Sequence, residues 1–382
     1  MSTPEGGIAS TQDADTEGVE GKYFVWTPEE LAEVLGAKRG ARAAAYFGVT
    51  DEGNFEDGQS ALWRHEAESD VAEALQMSLD ELRAEMAEAR TQLLEARLER
   101  TRPGTDDKIL ASWNGLAISA LAQTAQILEA PRFLEAARKA ADYVLKGMRQ
   151  ENGRLFATAR HGRAHLNAYL DDYVFMIQAL LDLFESDFDE RWLTEALALT
   201  QIVEENFEDP VNGGYFTTSD DHEELIARLK NPHDGALPSG SGVHALNLLK
   251  LAEFTGESKF HDAAWTTIRS LGSMLNRFPV AFSQLLQAVD FAETGAQGIV
   301  ISGPFASQEG DRMLREIRNT FLPQRVVVRV TERGPSPQIV PLVEGREPQP
   351  GKDEALAFVC RDMTCGLPAT SAEGLVKALL ER

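Results

Sequence analysis

The chain has 382 residues, with Asp+Glu 61 against Lys+Arg 37 and a net charge of −24. So acidic a chain lacks the clustered Lys and Arg that nucleic acid or an anionic membrane surface requires, so neither is expected as a partner. Hydrophobic residues at 43% mark a globular protein, two cysteines cannot build a disulfide framework, and no apolar run is long enough to span a bilayer.

The opening stretch, MSTPEGGIASTQDADTEG, has neither a basic n-region nor an apolar h-region, so it does not read as a secretory signal and the cytosol is the expected compartment. Residues 1–20 are small and acidic without periodicity and read as a flexible N-terminal segment. Thr27-Pro28-Glu29-Glu30 combines an N-cap, a first-turn proline and a capping-box glutamate. A short helix is expected from there to Leu35, ended by Gly36. Ser78-Leu79-Asp80-Glu81 opens a second, polar helix reaching about residue 99.

Residues 112–277 carry three helix pairs: 112–129 with 131–149, 169–186 with 189–207, and 239–255 with 258–277. Phe133, Trp192 and Phe260 begin the second helix of each pair, 59 and 68 residues apart, which is the signature of a two-helix repeat. Each second helix is amphipathic, as Phe133, Ala136, Ala140 and Val144 show against Arg132, Glu135, Lys139 and Asp142. The first helix of the second and third pairs is apolar nearly all round, as in Tyr173-Val174-Phe175-Met176-Ile177, and must be covered on most sides. Alternation of enclosed and half-exposed helices predicts two concentric layers, a mainly α fold of the (α/α)6 toroid type; a curved two-layer solenoid would give the same pattern. Asn152-Gly153 and Asn212-Gly213 read as tight turns between pairs. From about 293 the pattern changes to strands at 298–303, 325–330 and 356–360, with a helix at 308–320 and a last one capped by Thr370. The segments are therefore residues 1–20 as a flexible start, 21–292 as a partial toroid and 293–382 as a small α/β region.

Three polar clusters stand at the starts of the enclosed helices: Asp106-Asp107-Lys108 with Ser112-Trp113-Asn114, Tyr169 to Tyr173, and His233-Asp234 with Ser239. If the repeats superpose, the clusters gather at one end. Such a mouth suits a polyhydroxy ligand, since aromatic faces stack on sugar C–H groups while carboxylates and amides bond hydroxyls. On this reading Asp107, Asp172, Asp234 and His233 are the acid/base candidates, and Asp106, Trp113, Asn114, Tyr169, Asp171, Tyr173 and Ser239 line the mouth. The same residue types are also preferred helix caps. Asp171 and Asp172, about 100° apart on a helix, cannot share a direction. One can enter the mouth while the other caps. His161 and His165 are spaced i,i+4 without the rest of a metal motif, and no metal or cofactor is expected. Cys360 and Cys365 are spaced C-x4-C and are expected to be packed thiols.

At these residues the chain resembles a known family. The segments DADTEGVEGKYFVWTPEEL, YFGVTDEGNFE, RPGTDDKILASWNGLAISALA, AYLDDYVFMIQALLDLFE, DGALPSGSGVHALNLLKLAEFTG and VCRDMTCGLP are similar, in order, to the C-terminal half of spermatogenesis-associated protein 20 and its bacterial relatives. The resemblance implies a toroid like that of the six-hairpin glycosidases and N-acylglucosamine 2-epimerases, a small carbohydrate ligand, and an epimerase-like or glycosidase-like reaction. It also implies that Asp13 to Lys22 form a loop over the polar end. Family members carry an N-terminal thioredoxin-like domain, which on this reading the chain is expected to lack. Six pairs of roughly 60 residues need more helices than are present, so a truncated or split product is expected. A thioredoxin-like partner or a second copy would then complete it. The rival reading is a non-catalytic toroid that holds a protein, working with a separately encoded thioredoxin-like domain.

Overall fold

The computed structural model describes residues 1–222, 226–348, 354–361 and 364–380. These form two compact units, Thr11–Asp107 and a larger one made of Met1–Ser10 with Lys108–Arg382.

In the smaller unit, β1 (Thr11–Gln12) pairs antiparallel with β6 (Thr105–Asp106), β2 (Asp15–Thr16) with β3 (Val19–Glu20), and β4 (Val25–Trp26) with β5 (Ser60–Ala61). Four helices form: α1 (Pro28–Leu35) and α4 (Leu79–Leu98) at the two expected places, and α2 (Ala37–Phe47) and α3 (Glu68–Ala74), which the sequence reading does not include. Both predicted capping boxes form, Thr27 with Glu30 and Ser78 with Glu81, so each helix start satisfies two backbone donors reciprocally. Leu31, Tyr46, Leu82, Met86 and Ala89 make the core. Arg100 stacks 4.0 Å over Trp26 and donates to the Val25 carbonyl at 2.7 Å, closing one edge of it.

The larger unit is built from the expected helix pairs: α5 (Ala111–Ile127) with α6 (Pro131–Gly147), α7 (Leu170–Asp187) with α8 (Glu190–Phe207), and α9 (Gly240–Thr255) with α10 (Ser258–Arg277), followed by α11 (Ser283–Thr294). The first helices pack on one another in sequence, α5 on α7, α7 on α9 and α9 on α11. This is a mainly helical α/α arrangement of toroid type. α7 is buried on nearly every side from Leu170 to Ser186, as its all-round apolar sequence demands. Gly115 lets α5 and α7 approach closely, since a Cβ there would lie 2.6 Å from the Phe175 carbonyl carbon. The Asn-Gly turns close as expected, each by a single antiparallel bridge, Arg149 to Leu155 and Glu208 to Tyr215, with Gly153 and Gly213 at positive φ. A three-stranded sheet follows the first turn: β7 (Ile109–Leu110), β8 (Phe156–Arg160) and β9 (Arg163–Asn167) in that order.

The C-terminal part adds β10 (Gln297–Ser302), α12 (Gln308–Asn319), β11 (Arg325–Val330), β12 (Leu356–Arg361), β13 (Thr364–Cys365) and α13 (Ala372–Leu380). The sheet order is β11-β10-β12-β13, with β10 and β11 parallel through the α12 crossover. Three sequence expectations change here. Cys360 and Cys365 face each other across β12 and β13 and are disulfide-bonded, because antiparallel register brings their Cα atoms to 3.9 Å. The last helix is capped by Ser371, whose Oγ accepts the Gly374 N–H at 3.1 Å, and not by Thr370. The first ten residues are held, not frayed: Ile8 bonds Asn114 through both its N–H and its carbonyl, and the Ser10 N–H donates to the Lys108 carbonyl at 2.9 Å.

Candidate functional site

The polar starts of α7 and α9 are organised by two carboxylates. Asp172, in the first turn of α7 and 4% exposed, accepts the Tyr169 N–H through Oδ2 and the Ser112 N–H through Oδ1, both at 2.9 Å. It therefore satisfies orphan donors at the starts of two helices, α7 and α5. Asp234 repeats the arrangement one pair later, with Oδ1 on the Ser239 N–H and Oδ2 on the Gln284 N–H, both at 2.8 Å. It joins α9 to α11. Expected as acid/base groups, both residues have both oxygens engaged by backbone. Burial raises the Asp172 carboxyl to about 6, even though the two N–H donors favour its ionised form.

Asp171, next on the helix, points elsewhere. Its carboxylate lies against Gly240 at the start of α9, where a side chain would collide with Oδ1. It lines a cavity of about 480 Å³ together with Asp172 itself, Lys108, Ser112, Thr158, His165, Tyr169 and Thr217. Burial raises the Asp171 carboxyl above the usual carboxylate range. Tyr169 is 38% exposed and its ring meets that of His222 at 5.1 Å. Thr158 Oγ1 is buried at the cavity wall and has no hydrogen-bond partner among the described residues. The arrangement offers two raised carboxyls, one of them engaged by backbone, with one exposed phenol ring and several hydroxyls around a space of ligand size.

The remaining sequence candidates are placed as follows. Asp106 and Asp107 end the smaller unit, with Asp106 in β6 paired to Thr11, and the Asp13 to Lys22 segment lies in that unit too. Asn114 is 1% exposed; its Oδ1 accepts from Ile8 N–H and its Nδ2 donates to the carbonyls of Ile8 and Leu110, each at 2.9 Å. Its amide is spent on anchoring the N-terminal residues. Tyr173 is buried, and its hydroxyl accepts the Leu155 N–H at 3.0 Å, fixing the first Asn-Gly turn to α7. Ser239 is the N-cap of α9, with Oγ accepting from Gly242 N–H at 3.3 Å. Trp113 is 38% exposed but does not line the cavity, and His233 is an exposed residue whose ring rests on Phe282. The structure thus brings Tyr169 and Asp171 together with Thr158, His165 and Thr217. Sequence reading did not put those last three at the site: Thr158 and His165 reach it through the pairing of β7 with β8 and of β8 with β9, and Thr217 through its carbonyl, which accepts the Leu170 N–H at 3.0 Å. Among the described residues no group of three or more His, Cys, Asp or Glu side chains is placed to hold a metal ion. Among the same residues, no helix is long and apolar enough to cross a membrane.

No protein-family model matches the chain. Human spermatogenesis-associated protein 20 is 29% identical over 99% of this chain and 52% of its own length. An uncharacterized protein of Caenorhabditis elegans is 27% identical over 98% of this chain and 55% of its own. The chain spans about half the length of these relatives. Among solved structures, a cellobiose 2-epimerase from Bacillus thermoamylovorans aligns over 42% of this chain and 44% of its own, at 11% identity and a TM-score of 0.37. A family 105 glycoside hydrolase from C. acetobutylicum aligns over 55% and 61%, at 12% identity and a TM-score of 0.38. From end to end, the chain is homologous to about half of spermatogenesis-associated protein 20.

Proposed function

We propose that the cavity at the starts of α5 and α7 binds a carbohydrate, and that the protein processes it as an epimerase-like or glycosidase-like domain. The observation that carries the reading is the division of labour between neighbouring carboxylates. Both line the cavity of about 480 Å³, but the oxygens of Asp172 are consumed by helix starts, while Asp171 has no such bonds among the described residues and holds its proton more tightly than usual. A carboxyl whose proton is held more tightly than usual is suited to give a proton or a hydrogen bond to a sugar oxygen. Tyr169 supplies the apolar face on which a ring would stack, and Ser112, Thr158, His165 and Thr217 supply donors and acceptors for hydroxyls. Epimerases and glycoside hydrolases occur among the structurally similar proteins, in keeping with this ligand class.

The test is a panel of mono- and disaccharides titrated by calorimetry and by thermal melting. At least one sugar is expected to bind and to raise the melting temperature of the unaltered protein, with the response lost in Asp171→Asn and weakened in Tyr169→Ala. Absence of any sugar response in the unaltered protein, or an undiminished response in Asp171→Asn, overturns the proposal.

A further inference from the structure

A second concentration of charge lies where β11 and α12 meet the far ends of the enclosed helices. Asp182 follows Asp172 by ten residues on α7, about 15 Å of helix rise, so this place is separate from the sugar cavity. Lys250 of α9 donates to Glu185 Oε2 at 3.0 Å and lies 3.5 Å from Asp182 Oδ1. Asp182 also accepts from Ser119 and Gln123, and the second Glu185 oxygen takes the Val327 N–H at 2.9 Å. Nearby, Arg329 pairs with Asp311 at 2.6 Å, and Arg315 lies 3.8 Å from Glu129. Asp182 and Glu185 thus share Lys250, while Asp311 and Glu129 each face an arginine.

Arg318 and Arg325 are the exceptions. Among the described residues neither has a carboxylate in ion-pair range. Arg325, the first residue of β11, uses Nη1 on the carbonyls of Ile317 and Thr320 at the end of α12. Arg318, in the last turn of α12, makes one long bond to the Ser186 carbonyl at 3.4 Å. Both are half-buried and line a cavity of about 190 Å³ with Lys250, Gln123 and Gln126. Burial lowers the pKa of each guanidinium, and for Arg318 the charge of Arg325 adds to the effect. Glu185 attracts Arg325, and Glu129 and Asp311 attract Arg318, but none is in ion-pair range; two like charges held together without a direct partner are an arrangement that folding alone disfavours.

We infer that this cavity is an anion site, in which Arg318 and Arg325 receive a single phosphoryl or carboxylate group between them. Planar guanidinium forks match such oxyanions, and each charge-assisted bond is stronger than a neutral one. The Gln126 amide gives one hydrogen to Ser186 Oγ at 2.7 Å and has another for the ligand. The cavity is smaller than the roughly 300–1,000 Å³ of drug-sized pockets, so the ligand is a small oxyanion and not a nucleotide. Asp182 and Glu185 line the cavity too and share Lys250 between them, so the lining sets three cations against two carboxylates, and the two arginines tip its sign to positive.

The experiment titrates inorganic phosphate and, separately, succinate into the full chain at constant ionic strength in chloride. Saturable binding of phosphate alone assigns a phosphoryl ligand, and of succinate alone a carboxylate. The double variant Arg318→Gln, Arg325→Gln is expected to weaken binding about a hundredfold, tenfold for each charged hydrogen-bonding group removed. In the unaltered protein, the side-chain Nε–Hε NMR signals of Arg318 and Arg325 shift on titration, while that of Arg329, held by Asp311, stays. That readout decides the matter if the double variant does not fold. No saturable binding of either probe, unchanged affinity in the folded double variant, or stationary Arg318 and Arg325 signals overturns the inference.

Discussion

Asp172 Oδ1 accepts the backbone N–H of Ser112 at 2.9 Å, tying the start of α7 to the start of α5. The same carboxylate closes its own helix on Tyr169. A single buried side chain thus replaces two separate caps and fixes the relative height of two enclosed helices. Four consequences of the structure are open to measurement.

The Asp172 carboxyl sits at about 6 in the folded protein against 3.8 for an ordinary aspartate. The folded state therefore binds this proton more tightly than the unfolded chain. Its stabilising effect is fully present below pH 4 and lost as pH rises through 6, an integrated difference of about 3 kcal/mol. Asp172→Asn removes the titration. The melting temperature of the unaltered protein, measured relative to this variant, should climb as pH falls from 7 to 4. A flat difference across that window would refute the assignment.

Asp234→Ala removes two carboxylate acceptors at once, leaving the backbone N–H groups of Ser239 and Gln284 without their partner. With caps worth about 1 kcal/mol each, a loss of about 2 kcal/mol is expected in urea unfolding at unchanged m-value. Sugar binding should survive, since Asp234 does not line the cavity.

Gly115→Ala drives a Cβ to 2.6 Å from the Phe175 carbonyl carbon and 2.8 Å from the Met176 nitrogen. Both are backbone atoms inside a helix and cannot swing away. The α5–α7 contact must spread, at a cost of about 1–3 kcal/mol, the range for overpacked cores. Thermal melting compared with Gly272→Ala, where a Cβ meets nothing, separates this effect from helix propensity, which favours alanine in both.

Asn114→Ala deletes three hydrogen bonds, two of which hold Ile8. Amide exchange at Ile8 and Ser10 should accelerate well beyond that of α7, with a global loss of about 2–4 kcal/mol for buried amide bonds broken one-sidedly. Retained protection at Ile8 would show that residues 1–10 are held by something else.

Much of the fold is legible in the sequence because the signals are local. The helix pairs, both capping boxes and the Asn-Gly turns follow from periodicity, first-turn chemistry and the freedom of glycine at positive φ, all properties of residues a few positions apart. The enclosed nature of α7 is written in its unbroken apolar run. Local signals also indicated that either Asp171 or Asp172 would serve as a cap, yet could not say which.

Tertiary structure alone made that choice, because the second acceptor site of Asp172 is filled by Ser112, sixty residues away. It likewise turned Asn114 from a ligand candidate into an anchor for Ile8, and brought Thr158 and His165 to the cavity through β7–β8 pairing. The Cys360–Cys365 bond depends on antiparallel register, which spacing does not encode. In each case the partner is distant in sequence. A residue's type limits the bonds it can make, whereas which bond forms is set by whatever unsatisfied group the fold buries beside it.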